Sequence, residues 1–100
     1  MMETNPDDPF ILYALAREYE LQSGVLQALL MYEHLINAHP EYVATYYHYS
    51  KLLYSAGNRF QAIELLKKGI EKGISGKDLH AVSEMQGLLA QWTLEEDEEE

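Results

Sequence analysis

The chain has 100 residues, no cysteine and a formal net charge of −10 at pH 7. This length fits one small domain, with neither a disulfide nor a cysteine-built zinc site to stabilise it. The negative charge argues against a nucleic-acid binder, because proteins that contact the phosphate backbone need a basic surface. No apolar run approaches the roughly 18 residues of a membrane span, and the acidic amino terminus lacks the features of a secretory signal. We therefore expect a cytoplasmic protein that binds neither nucleic acid nor membranes.

The first half of the chain predicts a pair of helices. Asp8, as an N-cap, followed by proline at the first helical position predicts a first helix over residues 9–21. A Ser-Gly turn at residues 23–24 ends it, and a second helix is predicted over residues 25–38. The apolar residues recur at helical spacing and form the predicted buried face: Leu12, Leu15, Ala16, Tyr19, Ala28, Leu29, Tyr32, Leu35 and Ile36.

A second pair of helices is predicted over residues 41–56 and 59–72. Between them, Gly57 suits the left-handed position after a helix, and Asn58 suits the N-cap of the next helix. The spacing of apolar residues again gives each helix one buried face, formed by Tyr46, Tyr49, Ser50, Leu53, Ala62, Ile63, Leu66 and Ile70.

A fifth helix is predicted over residues 77–92, beginning at a capping box of Ser75 and Asp78. Compared with those of the first helix in each pair, its large apolar residues fall one position early. We therefore expect this helix to cap the stack of helices, as part of a single domain over residues 1–94. The apolar positions are Leu79, Val82, Leu88, Leu89 and Trp92.

The last six residues, 95–100, are all acidic. A like-charge block repels itself and has nothing to bury, so it is predicted to be a disordered tail. An alternative is that the tail folds back onto Arg17, Lys51 and Lys77 and occupies a binding groove until a partner displaces it.

The two helix pairs repeat with a period of 34 residues, which places Pro6 on Pro40 and Ala28 on Ala62. Large residues coincide with large ones, small with small, and turn residues with turn residues. A period of this length is typical of a helix-turn-helix solenoid. It divides the domain into a first repeat over residues 9–42 and a second over residues 43–76.

Over residues 9–74 the sequence resembles the tetratricopeptide repeat family. The positions that carry the resemblance are Leu12, Leu15, Ala16, Tyr19, Ala28, Tyr32 and Pro40, followed by Tyr46, Tyr49, Ser50, Leu53, Ala62 and Leu66. The sequence departs from the family pattern at Leu35 and Gly69, where alanine is usual, and at Ile74, where proline is usual. The resemblance implies an all-α, right-handed solenoid of two helix-turn-helix repeats plus a C-terminal capping helix.

Helical geometry of 100° per residue identifies the side chains that point away from the buried faces. In proteins that this chain resembles, that face lines a concave groove that binds peptide segments. The predicted groove residues are Phe10, Tyr13, Arg17, Glu20, Tyr47, Lys51, Tyr54 and His80. Tyrosine is a low-entropy contact residue, and arginine and lysine bind carboxylates, so we expect a protein or peptide partner that carries an acidic group. These side chains could instead be packed tyrosines and solvated charges.

One subclass of the family clamps the acidic carboxyl terminus of heat-shock chaperones with lysine, arginine and asparagine side chains. This sequence has Arg17 and Lys51 where asparagines would be expected, and its fifth helix lacks a Lys/Arg pair at helical spacing. The chaperone clamp is therefore disfavoured, and a non-enzymatic adaptor for another peptide is predicted.

No catalytic motif, cofactor or metal site is predicted. His34 and His39 lack the spacing of a zinc-protease helix, and a metal site at His48 and His80 would need a convergent carboxylate. The glycines near Lys77 lack the remaining residues of a phosphate-binding loop. Two other functions stay open: a homodimeric scaffold that associates through the aromatic face, and a regulatory subunit that docks through a convex surface. The convex candidates are Glu33, His34, Glu64 and Lys67.

Overall fold

The computed structural model describes residues 7–98 of the chain, and the side chains of residues 7–96. Within that part the chain forms five α-helices and no strand. The helices are α1 (Pro9–Leu21), α2 (Val25–Ala38), α3 (Ala44–Ser55), α4 (Arg59–Ser75) and α5 (Leu79–Glu98). Consecutive helices pack against each other. The order is helix pair, helix pair, single helix, which confirms the predicted all-α helical repeat.

The ends of the first helix pair follow from local chemistry. The Asp8 carboxylate accepts a hydrogen bond from the Phe10 amide at 2.9 Å and caps α1. In the turn to α2, Ser23 adopts the left-handed conformation with φ of 64°, and the Gly24 amide donates to the Tyr19 carbonyl at 2.7 Å. α1 and α2 therefore coincide with the two helices predicted from the sequence.

The second helix pair differs from the prediction at two boundaries. α3 begins at Ala44 and not at residue 41, because the chain first turns with a hydrogen bond from the Tyr42 amide to the His39 carbonyl. Gly57 adopts the expected positive φ, 96°. α4 continues to Ser75, past the predicted end at residue 72, because Gly73 packs inside the helix against Val82.

The predicted start of α5 at a Ser75–Asp78 capping box is wrong. Ser75 is the last residue of α4, and Asp78 itself caps α5, because its carboxylate accepts a hydrogen bond from the Ala81 amide at 3.2 Å. Lys77 adopts a left-handed conformation in this turn, with φ of 59°.

α5 continues to Glu98, so the described part of the segment predicted to be a disordered tail is helical. Glu95 accepts a hydrogen bond from the Tyr54 hydroxyl at 3.2 Å, and Glu96 lies 3.5 Å from the Arg59 guanidinium. These contacts offset the repulsion between neighbouring carboxylates. Residues 99 and 100 lie outside the described residues.

The helices enclose two adjoining clusters of buried side chains. The first contains Leu12, Ala16, Ala28, Tyr32 and Leu35, and the second contains Tyr46, Leu53, Ala62, Leu66, Met85 and Trp92. The ring of Tyr49 stacks on that of Tyr32 with their centroids 5.5 Å apart, and so joins the two clusters. Leu15 and Leu79 were predicted to be buried but are exposed, because their faces of α1 and α5 are not covered by another described helix. Met85 is a core residue that the sequence analysis missed.

Gly69 allows α4 to approach α3 and α5 closely. A Cβ atom built at this position would overlap the Cβ atom of Tyr46 and lie 2.8 Å from its Cγ atom and 2.9 Å from Met85 Sδ. The departure from the family's alanine at Gly69 therefore accompanies tight packing between the helices. Among the described residues, no helix is both long enough and apolar enough to cross a membrane.

Candidate functional site

Three helices contribute to the first cavity that contains predicted groove residues. This Tyr13–Tyr47 cavity has a volume of about 230 Å³ and is lined by side chains of α1, α3 and α5 and of the residues preceding α3 and α5. Its polar and aromatic lining consists of Tyr13, Tyr47, His48, Asp78, His80 and Glu84. Tyr13, Tyr47 and His80 were predicted groove residues, and the fold brings them together because α5 packs beside α3.

A second cavity lies farther along α3 and α5. This Tyr54–Trp92 cavity has a volume of about 390 Å³ and includes the predicted groove residues Tyr47, Lys51 and Tyr54. From α5 it receives Leu88, Gln91, Trp92 and Glu95. Because Tyr47 lines both cavities, they adjoin along one face of the protein.

An aromatic cluster forms the wall of the Tyr13–Tyr47 cavity. The rings of Tyr13 and His48 are 5.8 Å apart, and the rings of Tyr47 and His48 are 5.1 Å apart and nearly perpendicular. Tyr42, in the turn before α3, packs 5.8 Å from Tyr13 on its other side. Such edge-to-face and tilted pairs hold the rings in defined positions. His48 is a site residue that helical geometry placed only beside the groove.

Burial shifts the pKa values of two members of this cluster, and each shift favours the neutral side chain. Burial lowers the pKa of His48 below its ordinary value, and the nearby positive charge of Arg17 lowers it further. Burial also raises the pKa of the Tyr13 phenol. Both shifts favour the neutral form of the side chain in this wall of the cavity.

The Tyr54–Trp92 cavity is built on a stacked pair of rings. Tyr54 and Trp92 lie nearly parallel with centroids 4.2 Å apart, and the Arg59 guanidinium lies 5.2 Å from the centroid of Tyr54. The Lys51 ammonium lies 5.2 Å from the centroid of Tyr47. Trp92 was predicted as a core residue and is 4% exposed, yet it also lines this cavity. Its contribution to the site depends on how α5 docks.

Three of the predicted groove residues line neither cavity. Phe10 is exposed near the start of α1. Arg17 pairs with Glu20 at 3.1 Å, and Glu20 also accepts a hydrogen bond from the hydroxyl of Tyr32. Burial, followed by this hydrogen bond, raises the pKa of Tyr32 far above its ordinary value. The Glu20 carboxylate is therefore already engaged by Arg17 and by the buried Tyr32. Arg17 and Glu20 are less available to a ligand than exposed charges are.

The His34 and His39 pair and the convex-surface candidates are held by other contacts. Asp7 lies 3.0 Å from His34 and 3.2 Å from His39, which lowers the pKa of Asp7, chiefly through the hydrogen bond with His34. On the convex side, Glu64 pairs with Lys67 at 3.6 Å. Among the residues with described side chains, no group of three or more acidic or histidine residues could hold a metal ion. If the acidic tail folded back into the groove, its carboxylates would contact Arg17, Lys51 and Lys77. Glu95 and Glu96 instead contact Tyr54 and Arg59.

Comparison with known proteins identifies solved structures that have the same fold. No protein-family model matches the sequence, and a search of curated proteins gives no match. An NMR structure of a tetratricopeptide repeat domain protein from Salinibacter ruber is 34% identical, with a TM-score of 0.84, over 88% of this chain and 89% of that one. A crystal structure of a tetratricopeptide repeat domain protein from the same organism is 34% identical, with a TM-score of 0.82, over 85% of this chain and 94% of that one. Repeats of this type form a protein-interaction fold that is generally non-enzymatic. The identity and the coverage together show that the chain belongs to the tetratricopeptide repeat family.

Proposed function

We propose that the protein is a non-enzymatic adaptor that binds a peptide segment of a partner in the concave groove formed by the two cavities. The observation that carries the proposal is the pair of adjoining cavities that share Tyr47. Their lining combines aromatic rings with a few polar groups, which is the composition expected of a peptide-binding surface. Both cavities lie on rigid helices, so little ordering is needed before a peptide binds.

An acidic group of the peptide would bind at Lys51. Arg17, the other predicted basic residue, is paired with Glu20, whereas no described carboxylate forms an ion pair with Lys51. Its ammonium group lies at the boundary of the two cavities and presents donors to a carboxylate. A groove of two cavities is short, so we expect micromolar affinity, about −8 kcal/mol.

The test compares two double variants that remove the same chemistry from different surfaces. Tyr47→Ala with Lys51→Glu alters the groove. Phe60→Ala with Lys67→Glu removes an exposed ring and reverses a lysine on α4, outside both cavities. Circular dichroism establishes that both variants are folded. The proposal requires a partner that the wild type and the α4 variant retain from a lysate and that the groove variant loses.

Synthetic segments of the partner, titrated by calorimetry, would then show whether a single peptide reproduces the interaction. Loss of the partner from the α4 variant alone would contradict the groove and favour docking through the convex surface. Equal retention by both variants would also contradict the proposal.

A second candidate function, a homodimeric scaffold, is favoured by one observation. Exposed large apolar side chains are concentrated in the first helix pair: Phe10, Leu15, Leu21, Val25, Leu26 and Leu30. The first repeat has a cleft lined by Tyr19, Gln27 and Met31. The residues 34 positions further on, Leu53, Gln61 and Leu65, line the equivalent cleft of the second repeat. In the second repeat this cleft is shared with α2 of the first, through Glu33, Ile36 and Asn37.

In the second repeat this surface packs against α2, whereas in the first repeat no described helix covers it. In a homodimer, α2 of a second copy would cover the surface of the first repeat. Light scattering tests this candidate. A dimeric mass that becomes monomeric in a Leu26→Glu, Leu30→Glu variant would support it, and a monomeric wild type at high concentration would eliminate it.

A further inference from the structure

The size of the Tyr13–Tyr47 cavity limits what can occupy it. Its volume of about 230 Å³ lies below the roughly 300–1,000 Å³ of a site for a whole small-molecule ligand. A single side chain that projects from a bound peptide is the matching occupant. The chemistry of the lining then indicates which kind of side chain this is.

The walls of the cavity are suited to a cation. The π faces of tyrosine rings carry partial negative charge and attract ammonium and guanidinium groups within about 6 Å of the ring centroid. The protein already uses its tyrosines in this way, because Lys51 lies 5.2 Å from the Tyr47 ring and Arg59 lies 5.2 Å from the Tyr54 ring. Burial lowers the pKa of His48, which packs between Tyr13 and Tyr47, and so favours a neutral imidazole that would not repel a cation.

The charged groups of the lining are acidic. Asp78 and Glu84 line the cavity, and no lysine or arginine does. Glu84 is about half exposed and lies 3.3 Å from the highly exposed imidazole of His80, so its carboxylate is accessible to a ligand. The nearest cation along α1, Arg17, is paired with Glu20 at 3.1 Å. The net charge of −10 also attracts positively charged partners at long range.

We propose that the Tyr13–Tyr47 cavity binds a lysine or arginine side chain of the partner peptide, with the cationic head between the aromatic wall and the Glu84 carboxylate. This inference rests on the proposed adaptor function and adds a residue-level preference to it. A peptide that also carries the acidic group expected at Lys51 would place a basic residue on the Tyr13 side and an acidic residue on the Lys51 side.

Single-residue probes test the cavity directly. The protein, labelled with ¹⁵N, is titrated with the Nα-acetyl amides of arginine, lysine, glutamate and norleucine while amide chemical shifts are measured. Physiological salt screens long-range attraction to the acidic chain. The two cationic probes should shift the amides of Tyr13, His48 and Ala81 with dissociation constants of about 1–10 mM. The glutamate and norleucine probes should bind at least about tenfold more weakly.

Two variants and a matched control locate the interaction. Glu84→Gln and Tyr13→Leu should each weaken binding of the cationic probes by about two- to fivefold. Glu18→Gln removes the same charge from an exposed glutamate of α1 that is hydrogen-bonded to Gln22, outside both cavities, and should leave binding unchanged. Equal weakening by Glu84→Gln and Glu18→Gln would attribute the effect to net charge and overturn the proposal. Equal binding of the norleucine and arginine probes would overturn it as well.

The two proposals fail in different ways. A partner that is lost with the Tyr47→Ala, Lys51→Glu variant, together with no binding of the cationic probes, would refute the cation preference and leave the adaptor function intact. Cationic probes that bind with the expected pattern, together with a partner retained by that variant, would refute the adaptor function alone.

Discussion

Replacing Gly69 with alanine tests the packing of α4 against α3 and α5. Gly69 is fully enclosed by Tyr46 of α3 and Met85 of α5. The added Cβ atom would overlap the Cβ atom of Tyr46, which is attached to the backbone and cannot move by a change of rotamer. The clash can be relieved only if α3 and α4 separate, which loosens the second core cluster.

Two opposing effects set the magnitude. Overpacking of a well-packed core costs about 1–3 kcal/mol, whereas alanine is favoured over glycine inside a helix by about 0.5–1 kcal/mol. We therefore expect Gly69→Ala to lower the free energy of unfolding by about 1–2 kcal/mol. Gly87 is the matched control, because it also lies inside a helix but has no atom within 4 Å of a built Cβ. Gly87→Ala should raise the free energy of unfolding by about 0.5–1 kcal/mol.

Urea unfolding followed by circular dichroism measures both variants. For a domain of this size, 1 kcal/mol corresponds to a shift of about 4–8 °C in Tm, so thermal unfolding should separate the two variants clearly. The opposite signs of the two changes are the decisive result. A Gly69→Ala variant stabilised as much as Gly87→Ala would refute the close approach of α3, α4 and α5 described above.

Three further predictions concern individual side chains. Tyr32→Phe removes the hydroxyl that donates to Glu20, and should lower the free energy of unfolding by about 1–2 kcal/mol in urea titrations; a loss below about 0.5 kcal/mol would contradict the importance of this bond. Lys77→Gly should raise the Tm, because glycine adopts the left-handed conformation without the steric cost of about 1–2 kcal/mol that a side chain imposes; an unchanged or lower Tm would argue against that conformation. Burial lowers the pKa of His48 in the folded state below its unfolded value of about 6.5. Its contribution to stability is therefore present above about pH 6.5 and is lost as the pH falls through the folded pKa. NMR titration of the His48 ring should give a pKa below 6.5, and His48→Gln should lose less stability than the wild type between about pH 7 and pH 5; a pKa at or above 6.5 would oppose this.

Features that depend on neighbours in the chain could be predicted well from the sequence. Asp8 caps α1, and Gly57 adopts a positive φ, because capping and turn geometry depend on a few adjacent residues. The side chains of Tyr47, Lys51 and Tyr54 share a face because the angle between residues of a helix is fixed by its pitch. The same local rules failed at α5, where Ser75 and Asp78 matched a capping pattern but belong to different structural elements.

Features that depend on contacts between distant segments needed the tertiary structure. The acidic composition of residues 95–100 predicts disorder, yet Glu95 and Glu96 belong to a helix and contact Tyr54 and Arg59. Trp92 lines the cavity with Tyr54 only because α5 docks beside α3 and stacks its ring on Tyr54. No spacing rule contains this information, since the contacting residues are about 40 positions apart in the chain.

The sequence by itself determined the helical repeat, because a 34-residue period of large and small apolar residues allows each helix only one buried face. Helical spacing also predicted a shared face for Tyr47, Lys51 and Tyr54 of α3, which line the candidate site, whereas of the four residues predicted on α1 only Tyr13 does so. The tertiary structure alone decided how the candidate site is assembled: it packs His48 between Tyr13 and Tyr47 and brings Glu84 of α5 to the same cavity. The physical reason is that the docking of helices sets which side chains from distant parts of the chain line one cavity, whereas an ion pair three residues apart in one helix, such as Arg17 with Glu20, depends on local spacing.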